Sequence, residues 1–120
     1  MTERLNVLFV CSKNQWRSPT AEAIYRDDPR ISVRSCGTAS AAVRPIREGD
    51  LAWADMVLVM EQKHRSRVLA DYPGPTKFLP IHVLDIPDEY GYMDTALIQL
   101  IRSAADPLIE SHLSSHQSES

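Results

Sequence analysis

The 120-residue chain predicts an α/β domain, a four-stranded parallel sheet flanked by helices on both faces. Three observations predict it. Short apolar runs rich in β-branched residues alternate with stretches of helical pattern, the order of repeated βα units. The apolar runs are continuous rather than alternating, as in strands covered on both sides. The length suits one core and is too short for two. Residues 1–113 form the expected single domain, and "SSHQSES" (114–120) reads as a solvated, disordered tail.

"LNVLFV" (5–10) is the first strand, with Cys11 at its tip. "SPTAEAIYRDD" (18–28) is the first helix: Ser18 suits the N-cap, Pro19 the first helical position, and Glu22 lies toward the positive end of the dipole. Pro29 stops it, and "ISVRS" (31–35) makes the second strand, closed by the turn around Gly37. Connecting structure follows, with a short helix near "EGDLAWA" (48–54). "MVLVM" (56–60) is a third buried strand, and "EQKHRSRVLADY" (61–72) a polar-faced helix ended by Pro73-Gly74-Pro75. "FLPIHVLDI" (78–86) holds the fourth strand, with Pro80 near its start as an edge position permits. The last helix follows Asp94, a reasonable N-cap, and directs Leu97, Ile98, Ile101, Leu108 and Ile109 at the core. Pro107 is expected to kink or divide it.

Composition narrows the function classes. Apolar residues make up 43%, charged residues 24%, and the formal net charge is −3. That balance offers no basic footprint for nucleic acid and no polybasic patch for a membrane. An anion must therefore be held by a few chosen groups. The N-terminal "MTERLNVLFV" is too charged and its apolar run too short for a signal peptide or a membrane span. Only two cysteines occur, Cys11 and Cys36, so no disulfide framework is expected, and a reducing, cytoplasmic setting is the default. The four histidines (His64, His82, His112, His116) are scattered and show no metal-ligand spacing, and no cofactor is implied. "KHRSR" (63–67) reads as a solvated helix face that nonetheless starts at the carboxyl edge of the third strand.

Parallel sheets bind ligands at the carboxyl ends of their strands. Cys11 stands there, in "VLFVCSKNQWRSPTAE" (7–22). A strand–loop–helix turn gathers successive backbone N–H groups into one concavity, and the helix behind adds partial positive charge. Such a cradle suits a tetrahedral oxyanion and favours a cysteine at its mouth as thiolate, the nucleophilic form. Arg17 offers two parallel N–H donors to equatorial oxygens, and Ser18 a hydroxyl hydrogen to the sulfur. Together these parts suit covalent phosphoryl transfer through a cysteinyl-phosphate. Taken singly, a cysteine after a strand is a small buried hydrophobe and a loop arginine a solvated charge.

The same stretch closely resembles the signature of the low-molecular-weight protein tyrosine phosphatases, C-x5-R-S-P after a first strand. The resemblance implies Cys11 as nucleophile, Arg17 as phosphate clamp and Ser18 as stabiliser of the thiolate. It implies a phosphate-binding loop of Ser12, Lys13, Asn14, Gln15, Trp16, Arg17 and Ser18, with Asn14 bracing an unusual backbone conformation. Downstream, "LDIPDEYGYMD" (84–94) resembles the family's late loop. Its best register puts Asp88 at the general-acid position, with Asp85 as the fallback, and sets Tyr90 and Tyr92 either at the cleft wall or against the last helix. "VRSCGT" and "WADMVLVM" extend the similarity along nearly the whole chain. The implied substrate is a phosphate ester, a phosphotyrosyl protein by the family's habit.

The chain departs from that pattern in three places. Lys13 and Trp16 replace a usual glycine and a usual second cysteine, leaving Cys36 either as a packed small hydrophobe or as the residue that traps an oxidised Cys11. Glu89 replaces the proline after the acid. The connection between "SCGT" and "WAD" is short, which implies a shallower pocket. Two other readings compete. One is a degenerate domain that binds a phosphorylated partner without turnover. The other is an arsenate-reductase-like redox enzyme, which shares the loop but needs two further cysteines, and none follows Cys36.

Overall fold

The computed structural model describes residues 4–118. Eight elements alternate as the pattern requires: β1 (Leu5–Cys11), α1 (Arg17–Tyr25), β2 (Ile31–Gly37), α2 (Glu48–Trp53), β3 (Met56–Val59), α3 (Gln62–Asp71), β4 (Ile81–Val83) and α4 (Thr95–Ser118). All strand pairs are parallel, in the order β2-β1-β3-β4. The carboxyl ends of β1 and β3 therefore sit side by side at the centre of one edge. Among the described residues no helix is long and apolar enough to cross a membrane.

Alternation along β1 sorts the core into two layers. Leu5, Val7, Phe9 and Cys11 face α1 and α4, packing with Ala21, Tyr25, Leu97, Ile101, Ala105 and Ile109. Phe9 stacks on Tyr25 with centroids 5.7 Å apart. Leu8 and Val10 face the other way, with Cys36, Leu51, Val57, Val59 and Val68 under α2 and α3. Every side chain of β3 is buried, as the continuous run "MVLV" predicts.

Four local expectations are corrected. Ser18 is not an N-cap: α1 begins at Arg17 and its capping residue, Trp16, makes no side-chain cap. Pro107 does not divide α4, which runs unbroken from Thr95 to Ser118. The same helix carries residues 114–118 of the expected tail, since nothing after Pro107 breaks it; residues 119–120 lie outside the described residues. The histidines are not all scattered either, because His82 on β4 and His112 on α4 bring their Nε2 atoms to 3.0 Å and tie the edge strand to the last helix.

Candidate active site

The loop between β1 and α1 is shaped from outside. The N–H groups of Thr38, Ala39 and Val43 donate to the carbonyls of Cys11, Ser12 and Lys13 at 2.9–3.0 Å. With the carbonyls drawn outward, the N–H groups of the loop are left to the concavity. Gly37 permits this approach: a Cβ there would lie 2.5 Å from the Ser12 carbonyl oxygen and 2.6 Å from Ala42 Cβ. The connection after β2 is thus a brace for the loop. Asn14 takes a left-handed conformation at φ 54°, which asparagine tolerates, and its N–H points at Cys11 Sγ at 3.2 Å.

Behind the sulfur runs a directed hydrogen-bond chain. Ser35 Oγ donates to Glu22 Oε1 at 2.5 Å and accepts from Asn14 Nδ2 at 3.0 Å. Asn14 Nδ2 also donates to Ser18 Oγ at 2.9 Å. Ser18 Oγ then lies 3.0 Å from Cys11 Sγ and 3.3 Å from the Cys36 carbonyl. Because Asn14 occupies an acceptor site of Ser18, the one hydroxyl hydrogen is shared between the sulfur and the Cys36 carbonyl. This commitment is why Ser18 does not cap α1.

Arg17 is buried to 3% exposure and anchored through one nitrogen. Nη1 donates to Glu61 Oε1 at 2.5 Å and to the Ile86 carbonyl at 2.8 Å. Nε lies 3.8 Å from Asp88 Oδ1, beyond hydrogen-bond range. The Nε–Nη2 edge, the one with two parallel donors, is therefore the edge left for an oxyanion. The Arg17 hydrogen bond holds the Glu61 carboxyl below its usual range.

His64, the third helical residue of α3, braces the other side of the loop. Its Nδ1 accepts from the Glu61 N–H at 3.0 Å, so Nε2 carries the hydrogen and donates it to Ser12 Oγ at 2.8 Å. Burial, reinforced by the Arg17 charge, pushes its pKa down to about 4.

A depression of about 210 Å³ opens over Cys11, lined by Ser12, Lys13, Gln15, Trp16, Arg17, Lys63 and Asp88. Most residues named from the sequence meet here, with Asn14 and Ser18 beneath the floor. Tyr90 does not join them: it is half-buried against the α1–α4 core, while Tyr92 is exposed. Asp88 lines the depression, and Asp85, exposed at φ 57°, does not.

Glu22, Ser35, Glu61, Lys63 and His64 have no part in the site expected from the sequence. The available signal for two of them was Glu61-x-x-His64 directly after a buried strand, at the carboxyl edge. The solvated-face reading of "KHRSR" fails at His64, which is 1% exposed. Of the two readings of Cys36, the packed hydrophobe holds and the trap for Cys11 does not. The Cys36 side chain lies in the α2–α3 layer and that of Cys11 in the α1–α4 layer, on opposite faces of the sheet. Burial, with Asp50 nearby, raises the pKa of its thiol.

No protein-family model matches the chain, and no curated protein matches it in sequence. Solved structures match it in fold. The tyrosine phosphatase Wzb from Escherichia coli K30, solved with phosphate, gives a TM-score of 0.74 at 19% identity, over 91% of this chain and 99% of that one. The YwlE arginine phosphatase from Geobacillus stearothermophilus gives 0.68 at 22%, over 96% and 94%. A low-molecular-weight phosphotyrosine phosphatase from Vibrio cholerae O395 gives 0.70 at 25%, over 89% and 95%. What these similarities establish is architecture: the chain has the Rossmann-like α/β fold of the low-molecular-weight phosphatases.

Proposed function

We propose that the protein is a cysteine-dependent phosphomonoester hydrolase, acting on phosphotyrosyl protein through a cysteinyl-phosphate intermediate. One observation carries the reading. Cys11 Sγ sits within 3.0 Å of the Ser18 hydroxyl and 3.2 Å of the Asn14 N–H, at the floor of a depression that also presents the free edge of Arg17. A buried structural cysteine has no need of two donors and an adjacent guanidinium. The similar folds of tyrosine and arginine phosphatases support the same class.

In this reading the dianionic phosphoryl group enters the cradle, held by the loop N–H groups, the N-terminus of α1 and the Nε–Nη2 edge of Arg17. The Cys11 thiolate attacks phosphorus; the S–P bond forms as the P–O bond to the leaving group breaks. Asp88 acts as the general acid that gives a proton to the departing oxygen. Water then attacks the phosphocysteine, Asp88 takes back a proton, and the S–P bond breaks to release inorganic phosphate. The leaving thiolate is received by the Ser18 hydroxyl. Trp16, 47% exposed at the rim, supplies a flat apolar wall for an aryl ring.

Hydrolysis of p-nitrophenyl phosphate by wild type and Cys11→Ser, from pH 5 to 8, tests the reading. Turnover by wild type that the variant loses, with vanadate still bound by the variant, is the expected result. Inert wild-type protein that binds vanadate selects the phosphate-binding module instead. Phosphotyrosyl and phosphoarginyl peptides run in parallel separate the two activities named for the solved structures.

A further inference from the structure

On its α3 side the depression over Cys11 meets a wider one of about 610 Å³, lined by Ser12, Thr38, Lys63, His64, Ser66 and Arg67. Ser12 and Lys63 line both, so the two are neighbours. All six side chains carry an N–H or O–H donor and none is a carboxylate, in a chain of net charge −3. Of the acids nearby, Asp88 lines only the depression over Cys11, and Glu61 and Asp71 are committed elsewhere. Glu61 is taken by Arg17 at 2.5 Å and approaches Lys63 Nζ only to 3.8 Å, too far for a hydrogen bond. Asp71 takes only Nε of Arg67, at 2.7 Å, and leaves both terminal nitrogens to turn elsewhere. Ser12 receives its hydrogen bond from His64 and so keeps its own hydroxyl hydrogen to give.

Spacing fits a peptide. Lys63 and Arg67 stand one turn apart on the same face of α3, about 6 Å along its axis. An extended peptide advances about 3.3 Å per residue, so one or two residues cover the same span. We propose that this depression is an accessory anion subsite. It receives a carboxylate or a second phosphate carried one or two residues from the phosphorylated side chain held over Cys11. The proposal rests on the phosphatase reading for the identity of that side chain. It adds a substrate class, acidic or multiply phosphorylated segments.

The test compares two phosphotyrosyl peptides on the full chain. One carries glutamates at the two positions on either side of the phosphotyrosine, and the other carries glutamines there. Wild type is expected to favour the acidic peptide in kcat/KM by about fivefold at low salt, the upper end for an exposed ion pair. The preference should shrink as salt rises. Arg67→Ala should remove most of it and Arg67→Glu reverse it. Hydrolysis of p-nitrophenyl phosphate should stay unchanged in both, because Arg67 lies outside the depression over Cys11. Equal rates on the two peptides, with p-nitrophenyl phosphate turned over normally, would overturn the subsite and leave the hydrolase standing. A preference that survives in Arg67→Glu would overturn it equally. If wild type fails to hydrolyse p-nitrophenyl phosphate, fluorescence anisotropy of the same labelled peptides decides the matter. Tighter binding of the acidic peptide, lost in Arg67→Glu, supports the subsite; indifferent binding overturns it.

Discussion

Acidification should reach the anion loop through His64. The neutral ring is engaged at both nitrogens, accepting from the Glu61 N–H and donating to Ser12 Oγ, and a proton added at Nδ1 breaks the first contact. Its pKa in the folded protein is about 4, against 6.5 for a free imidazole. The unfolded chain therefore binds this proton first as the pH falls, and the stabilisation present above pH 6.5 drains away toward pH 4. At about 1.36 kcal/mol per pH unit the gap corresponds to about 3 kcal/mol, of which roughly half is lost between pH 7 and pH 5. Urea unfolding followed by far-ultraviolet circular dichroism, at both pH values, measures the loss in wild type and in His64→Gln. Glutamine keeps a donor for Ser12 but does not titrate. Wild type should lose about 1.5 kcal/mol more than the variant on the same pH step. A carboxylate held low away from His64, such as Asp28, titrates alike in both proteins and cancels. Equal losses in the two proteins would refute the assignment of His64 as a buried neutral brace.

Arg17→Lys should lower kcat by about a hundredfold or more, since an ammonium cannot reproduce the parallel Nε–Nη2 pair; near-normal turnover would reduce Arg17 to a screening charge. Asp88→Asn should cost far more with phenyl phosphate than with an activated aryl phosphate, whereas Asp85→Asn should show no such dependence on the leaving group. The slope of log kcat/KM against leaving-group pKa checks both, and a steepened slope for Asp85→Asn would exchange their roles. Peroxide should oxidise Cys11 without forming an intramolecular disulfide, because Cys36 lies on the other face of the sheet with its thiol kept protonated by burial. Mass spectrometry of the non-reduced protein reads this, and a Cys11–Cys36 cross-link would show that the two strands part.

The residues legible in the sequence are those whose relation is local. Cys11 and Arg17 are brought to one loop by their spacing alone, and the buried strands announce themselves by unbroken apolar runs. Asn14 follows from the resemblance of the loop to the family's signature. The supports were not legible because they reach across the sheet: Glu61 is 44 residues from Arg17, and His64 is 52 from Ser12. Local rules also misdirected where a tertiary contact outbid them. Ser18 has the composition of a cap, but its hydroxyl is engaged by Cys11, Asn14 and the Cys36 carbonyl. Cys36 follows the alternation of β2 and turns away from Cys11, which closeness in the fold alone would not reveal.

The central claim is that phosphoryl transfer passes through Cys11. Rapid denaturing quench of wild type turning over p-nitrophenyl phosphate, followed by phosphorus NMR and peptide mapping, tests it most directly. The account predicts a phosphorus–sulfur signal and a phosphoryl group on the peptide containing Cys11, both absent from Cys11→Ser. Turnover with the phosphoryl group on another residue, or undiminished in Cys11→Ser, would contradict it.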